Sequence, residues 1–417
     1  MKTIRLSVLF GFMLSLMLVS CGKDDPANND NPGNNDNGGN NGGNTNTTKA
    51  TSNFFFIENA TYHDAGDMPQ GDASLINDLN VNKTVINGGS TIISFTSSEM
   101  IKTAYVAVQG VSGYYRYDFD ENADYELRSG KTYLYEIILF ISQQLMKDND
   151  FVITISCVAR NGQQSRPENT EDIKVVEVGT GSLQVSLSWD QLDDVDLHLL
   201  EPSGNHIFYG NRSNSDDFYA MWFEFGCYLV NKYTSYDASS LSYDNYKDWD
   251  TLDYYLENVP DSAYNEYGAF LASRVKTGGI LDLDSNAACG IDGINNENIT
   301  YNDNPAPGRY YVAVDLFKKC DYSKPGAKYS VTVNYKGQPV TISGKQSGQF
   351  DEYDSGSNDS PSQYHIIGGF DIDVSGSIKA VTVTDNPFNG YDDYYGVSIR
   401  NAPANAKFKK FLKKQKR

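Results

Sequence analysis

The stretch WDQLDDVDLHLLEPSGNHIFYGN, residues 189–211, reads as a strand, a turn and a second strand. Val195, Leu197 and Leu199 fall on one face of the first strand, and Asp194, Asp196 and His198 fall on the other, because successive strand side chains point to opposite sides. The apolar face needs a core to pack against. The opposite face lines up two carboxylates and an imidazole, which asks for a partner or for water.

Outward from this stretch the pattern stays β. From Phe54 to Val178 short runs rich in Val, Ile, Tyr and Phe, such as TIISFT, TAYVAVQG, TYLYEIILFIS and FVITISCVAR, are separated by turn residues about every ten positions, which favours an antiparallel β-sandwich. In FVITISCVAR the alternation puts Phe151, Ile153, Ile155 and Cys157 on one face, so Cys157 is expected to be a small core residue. Past the link GTGS at 179–182, strand-like runs return as GRYYVAVDLF, KYSVTVNY, QPVTISG and YHIIGGFDIDV. The expected fold class is all-β, with two tandem β-sandwich domains at 53–178 and 182–374. The first resembles immunoglobulin-like or fibronectin-like modules in shape, and the second is jelly-roll-like. A Tyr-rich, acidic segment at about 212–278 has no clean period; it reads as an insertion, partly helical near 262–274. Residues 375–417 read as a tail with a basic, mostly disordered end.

The chain opens with MKTIRLSVLFGFMLSLMLVS, in which Lys2 and Arg5 precede an apolar run, the layout of a secretory signal over residues 1–20. That run is too short for a good bilayer span. LVSC resembles the bacterial lipobox, which implies lipidation (palmitate) on Cys21. Lys23-Asp24-Asp25 resembles the short acidic signal that sends lipoproteins of Bacteroidota to the outer face of the outer membrane. Residues 21–52 then form an Asn/Gly-rich flexible tether. The expected location is the cell outer membrane, lipid-anchored and facing outward.

Net charge is −20, which argues against nucleic acid as a partner. Leaving Cys21 aside, four cysteines remain in a compartment where disulfides persist.

A second stretch, GGILDLDSNAACGIDGINNENITYNDNPAPGRYYVAVD, repeats the opening device: Leu281 and Leu283 point one way, Asp282, Asp284 and Asn286 the other, and Asp292, Asn295, Asn296, Glu297 and Asn298 crowd the loop after it. Carboxylates packed this densely are either solvated or gathered around a cation. A clustered-acid loop alone is ordinarily a solvated face. Two such segments together favour a cation, and oxygen-only ligands suit Ca²⁺. The spacing departs from an EF-hand, since Ala287 and Gly293 stand where that loop needs Gly and Glu.

DVDLHLLEPSGNHIFYGN, LDLDSNAACGIDGINNENI, PAPGRYYVAVDLFKKC and KYSVTVNYKGQPVTISG together resemble, across 182–374, an uncharacterised β-sandwich domain of bacterial secreted and surface proteins. They are also distantly similar to pre-peptidase C-terminal modules, some of which bind calcium. The resemblance implies that Cys289 pairs with Cys320. It also brings the acidic loop to the end of the opening strand, so that Asp194 and Asp196 face Asp282, Asp284, Asn286, Asp292 and Glu297 around a structural Ca²⁺. Asp282, Asp284 and Asn286 are the leading ligands, with Asp196 orienting the loop through backbone N–H groups.

Catalytic signatures are sparse. The chain has four histidines and no G-x-S-x-G or H-E-x-x-H. His198 and His206 flank the Asp pair in a zinc-like way, but a histidine at a strand end is ordinarily on the surface. Paired acids such as Asp248 and Asp250, or Asp216 and Asp217, suit glycoside hydrolysis only with the right separation. The expectation is therefore no enzyme, but a surface-exposed, non-catalytic binding module for glycan or extracellular protein, its Tyr-rich insertion offering flat amphipathic rings. The alternatives are a structural or adhesive surface module, or an accessory protein of a secreted hydrolase system.

Overall fold

In the computed structural model the described residues are 50–389, apart from 124, 126, 128–131, 214–217, 244, 261, 262, 264, 265, 267–269, 271–277, 343–345, 358 and 359. The expected leader, Cys21, nearly all of the tether and the basic end of the tail lie outside them, as does most of 262–274.

The fold is all-β, as the alternation requires, with strands in five sheets. In the first half a four-stranded sheet runs in the order Phe55–Phe56, Tyr133–Ile141, Ser90–Ser97, Asn77–Asn80, and a five-stranded sheet in the order Glu168–Asn169, Ile153–Ala159, Ile101–Val108, Tyr114–Asp118, Thr61–His63. Their inward residues, among them Ile93, Phe95, Ile137, Val106, Ile155 and Cys157, make one hydrophobic cluster. Cys157 is a buried free thiol, as its place in the alternation implies.

In the second half a six-stranded sheet is built on Ile280–Leu283, Asn296–Tyr301, Leu183–Trp189 and Lys328–Tyr335. It faces a five-stranded sheet of order His206–Ile207, Asp194–Leu200, Gly308–Lys318, His365–Ile372, Ile378–Val381. Leu187, Trp189, Val195, Leu197, Val314, Val331 and Phe370 join in a second cluster between them. The last strand and Phe388, which is fully buried, belong to this half. The tail expected from residue 375 therefore starts later, because Ile378–Val381 finds a hydrogen-bonding edge on His365–Ile372.

Leu183–Trp189 alternates apolar and polar residues, yet all of it is buried. Its polar face meets the first half through hydrogen bonds. Gln184 Nε2 donates to Asn87 O at 2.8 Å, Gln143 Nε2 donates to Gln184 Oε1 at 2.6 Å, and Asn82 Nδ2 donates to Trp189 O at 2.7 Å. On the neighbouring strand Ser330 Oγ lies 2.7 Å from Ser90 Oγ, and Asn334 Nδ2 donates to Gly88 O at 2.7 Å. Buried polar groups are tolerable when paired in this way.

Among its described residues the insertion carries helices α1 (Phe218–Tyr233) and α2 (Tyr246–Leu256), the second capped by Asn245, whose side chain accepts from Lys247 N. Phe225 and Leu229 on α1, and Leu252 and Leu256 on α2, are spaced four apart and share a cluster with Val259 and Ile280. At Gly226 the helices approach so closely that a Cβ would lie 2.9 Å from Leu252 Cδ2. These helices precede the segment expected to be helical. Their many aromatic residues blur the 3.6 period, and packing against each other stabilises them more than propensity does.

Candidate cation site

The Asp194–Leu200 strand is buried on both faces. Across the antiparallel pair Asp196 stands opposite Asp315, and a bulge falls between Asp194 and Val195. Two like charges directly opposite destabilise a sheet unless something neutralises them. On its other side the strand pairs with His206–Ile207 only at Leu199 and Leu200, which leaves the Leu197 N–H without a ladder partner. Glu297 supplies one. It alternates with Ile299 and Tyr301, which are core residues of the six-stranded sheet, so its side chain occupies an interior position. From there Oε2 accepts from Leu197 N at 2.6 Å.

This brings three carboxylates from three segments together: Asp196, Asp284 and Glu297 each offer one oxygen, all within 4.8 Å of one another, and all three residues are buried. Asp284 also pairs with the Arg212 guanidinium. Three carboxyl groups against one guanidinium are an acidic excess in a buried place. Glu297 Oε1 and Asp284 Oδ1 are buried with no hydrogen-bond partner among the described residues. Burial first, and then the charge of Asp194, holds the Glu297 carboxyl well above the usual carboxylate range. Asp194 is pushed up to about 8, chiefly by burial, against the lowering effect of its bond from Ala288.

The other expected ligands are placed differently. Asp282 lies apart, its Oδ1 accepting from Asn298 Nδ2 and its Oδ2 from Gly179 N, both at 2.7 Å, so it ties the link between the halves to the sheet edge. Burial pushes it up to about 6. Asn286, with φ 60°, donates to Asp193 O and to Asn295 Oδ1 and accepts from Asp292 N, which uses both ends of its amide. Asp292 Oδ1 accepts from Ser285 Oγ and Ile294 N. Asp194 Oδ2 accepts from Ala288 N at 2.7 Å, so the loop-orienting role expected of Asp196 falls to Asp194. Asp193 and Asp315 are additions: Asp193 Oδ1 receives Cys320 N at 2.8 Å, and Ser357 Oγ donates to Asp315 Oδ2. Asp315 had a sequence signal, since YVAVD puts an acid in step with an apolar strand.

The expected bond Cys289–Cys320 is present, with Cα atoms 5.6 Å apart, and Cys227 is a half-buried free thiol. The bond fastens the acidic loop to the end of the Gly308–Lys318 strand.

His198 and His206 are buried, contrary to the surface position expected of them. Residues 361–364 and 386–388 cover that face: the His198 ring stacks on Tyr364 with centroids 4.1 Å apart, and Phe388 lies over His206 at 5.1 Å. His198 Nδ1 is 3.0 Å from His206 Nε2. Burial holds His198 well below the ordinary imidazole range and lowers His206 to about 3, so both rings are neutral at pH 7. Of the acid pairs considered for hydrolysis, Asp248 accepts from Ser242 N in the first turn of α2, and Asp216 and Asp217 lie outside the described residues.

A separate cleft of about 460 Å³ opens where the halves meet. Tyr117, Phe140 and Tyr329 give it aromatic walls, and Glu136, Lys328 and Gln349 are among its polar groups. Lys328 and Glu136 form an ion pair across the seam.

The chain matches no family model, and no curated protein matches it.

Proposed function

We propose that the protein is a non-catalytic binding module of the bacterial cell surface: two tandem sandwiches joined at 179–182, anchored through lipidated Cys21, with a structural Ca²⁺ between Asp196, Asp284 and Glu297. One observation carries the binding reading. The cleft at the seam combines aromatic faces with a carboxylate, an amide and an ammonium group, the mixture that holds a glycan or a peptide segment of an extracellular protein. The carboxylate cluster is sealed under the fold, which suits an ion that stabilises rather than one that reacts. Its donors are all oxygens, as Ca²⁺ prefers.

A glycan array and a panel of extracellular matrix proteins, probed with the mature chain and with Phe140→Ala, test the binding reading. A ligand lost in the variant supports it; silence on both sinks it. Protease treatment of intact cells tests the location, because a surface lipoprotein is cleaved and one facing the periplasm is spared.

A further inference from the structure

We propose that Asp196, His198 and Asp315 form a second metal site, for a divalent transition ion of the zinc class. A ring nitrogen of His198 and one oxygen each of Asp196 and Asp315 lie within 4.8 Å of one another, and all three residues are buried. The arrangement follows from the sheet. Asp196 and His198 are two apart on one strand and share a face, and the register sets Asp315 opposite Asp196 on the next.

The observation that points to an ion is the imidazole. His198 is fully buried, and its Nε2 has no hydrogen-bond partner among the described residues, although Nδ1 is engaged with His206. A nitrogen lone pair or N–H buried beneath Tyr364 and Phe208 without a partner costs free energy. A divalent ion offsets that cost and balances the two facing carboxylates. One nitrogen with two oxygens is a donor set that zinc-class ions accept, whereas Ca²⁺ seldom takes imidazole.

The surroundings are those that orient metal ligands. With Nε2 on the metal, the His198 proton sits on Nδ1 and is donated to His206 Nε2, which sets the tautomer; the Ser357 hydroxyl donates to Asp315 Oδ2. The aromatic cover of Tyr364, Phe208 and Phe388 keeps water away, so the ion would brace the outer sheet against the segment from 361 to 388. The site shares Asp196 with the calcium group and differs from it in its other two ligands, His198 and Asp315.

Co²⁺ is the probe. The mature chain, free of any histidine tag and stripped with chelator, is titrated with Co²⁺ alone and followed by visible d–d absorption and equilibrium dialysis, then challenged with Zn²⁺. The expected result is one tightly held Co²⁺ displaced by Zn²⁺, with affinity at least about tenfold weaker in His198→Gln and in Asp315→Asn. Glu297→Gln, which removes a calcium ligand and none of the three Co²⁺ ligands, should keep the Co²⁺ spectrum. Wild-type protein that binds no Co²⁺ overturns the site even if the buried variants fail to fold. Equal affinity in wild type and a folded His198→Gln overturns it too, and loss of the spectrum in Glu297→Gln would merge the two groups into one and refute a separate site.

Discussion

Replacing Glu297 with Gln separates a cation centre from a buried acid pair, because the two differ in the sign of the response. Gln keeps the acceptor that meets Leu197 N at 2.6 Å, and it puts an amide N–H₂ in place of the buried, unpartnered Oε1. Burial holds the Glu297 carboxyl well above its usual range in the cation-free protein, so a neutral Gln of the same shape suits that buried position. The variant should therefore equal wild type in chelator or exceed it, by as much as about 3 kcal/mol if the amide gains a good bond to a charged acceptor. With calcium at a hundred times its Kd, wild type gains about 2.7 kcal/mol by mass action. For a unit of this size that is a rise of roughly 5–11 °C in Tm. The variant has lost one of three carboxylates and should gain little. Urea and thermal melts of both proteins, in chelator and in calcium, give the four values required. Equal calcium shifts in wild type and variant would refute the centre, and so would a variant that loses several kcal/mol in chelator alone.

Removing the Cys289–Cys320 bond by double Ser substitution releases a loop with a sequence separation of 31, worth about 3.7 kcal/mol on chain-entropy grounds, and should weaken calcium binding because Glu297 lies within that loop and Asp284 shortly before it. A loss below about 1 kcal/mol in urea melts would show that hydrogen bonds alone hold the loop. In chelator, stability should fall as pH rises from 6.5 to 8. Asp194, pushed up to about 8, keeps a proton in the fold that the unfolded chain gives up near pH 4, so its contribution is whole below pH 4 and is lost as pH passes through 8. His206, lowered to about 3, acts oppositely and costs stability as pH falls from 6.5 toward 3. Calcium should flatten the upper limb, and melts across this range with and without the ion check it. Asn334→Ala leaves the Gly88 carbonyl at the seam without its donor and should cost about 1–3 kcal/mol, with faster proteolysis in the 179–182 link; unchanged cleavage would show that the seam does not guard the link.

Much of the architecture was legible because strand patterning is local. The alternation in residues 151–159 and 194–200 names the core side of each strand without reference to anything distant, and Cys157 followed from it. That acids of the two stretches meet was also legible, since Asp196, Asp284 and Glu297 were expected to face one another. Their division of labour was not. Asp282 and Asp284 share a sequence parity, but a bulge in the pairing of Ile280–Leu283 with its neighbour sends one to Gly179 and the other to Arg212. A loop-orienting bond of the kind expected of Asp196 is made by Asp194, beside the bulge at Asp194 and Val195. Alternation tells which side of a strand a residue occupies, but what covers that side belongs to chain far away. Gln184 and Ser188, the polar alternates of their strand, are buried against the first half, and His198 reads as a surface histidine until Tyr364 and Phe388, some 170 and 190 residues further on, close over it.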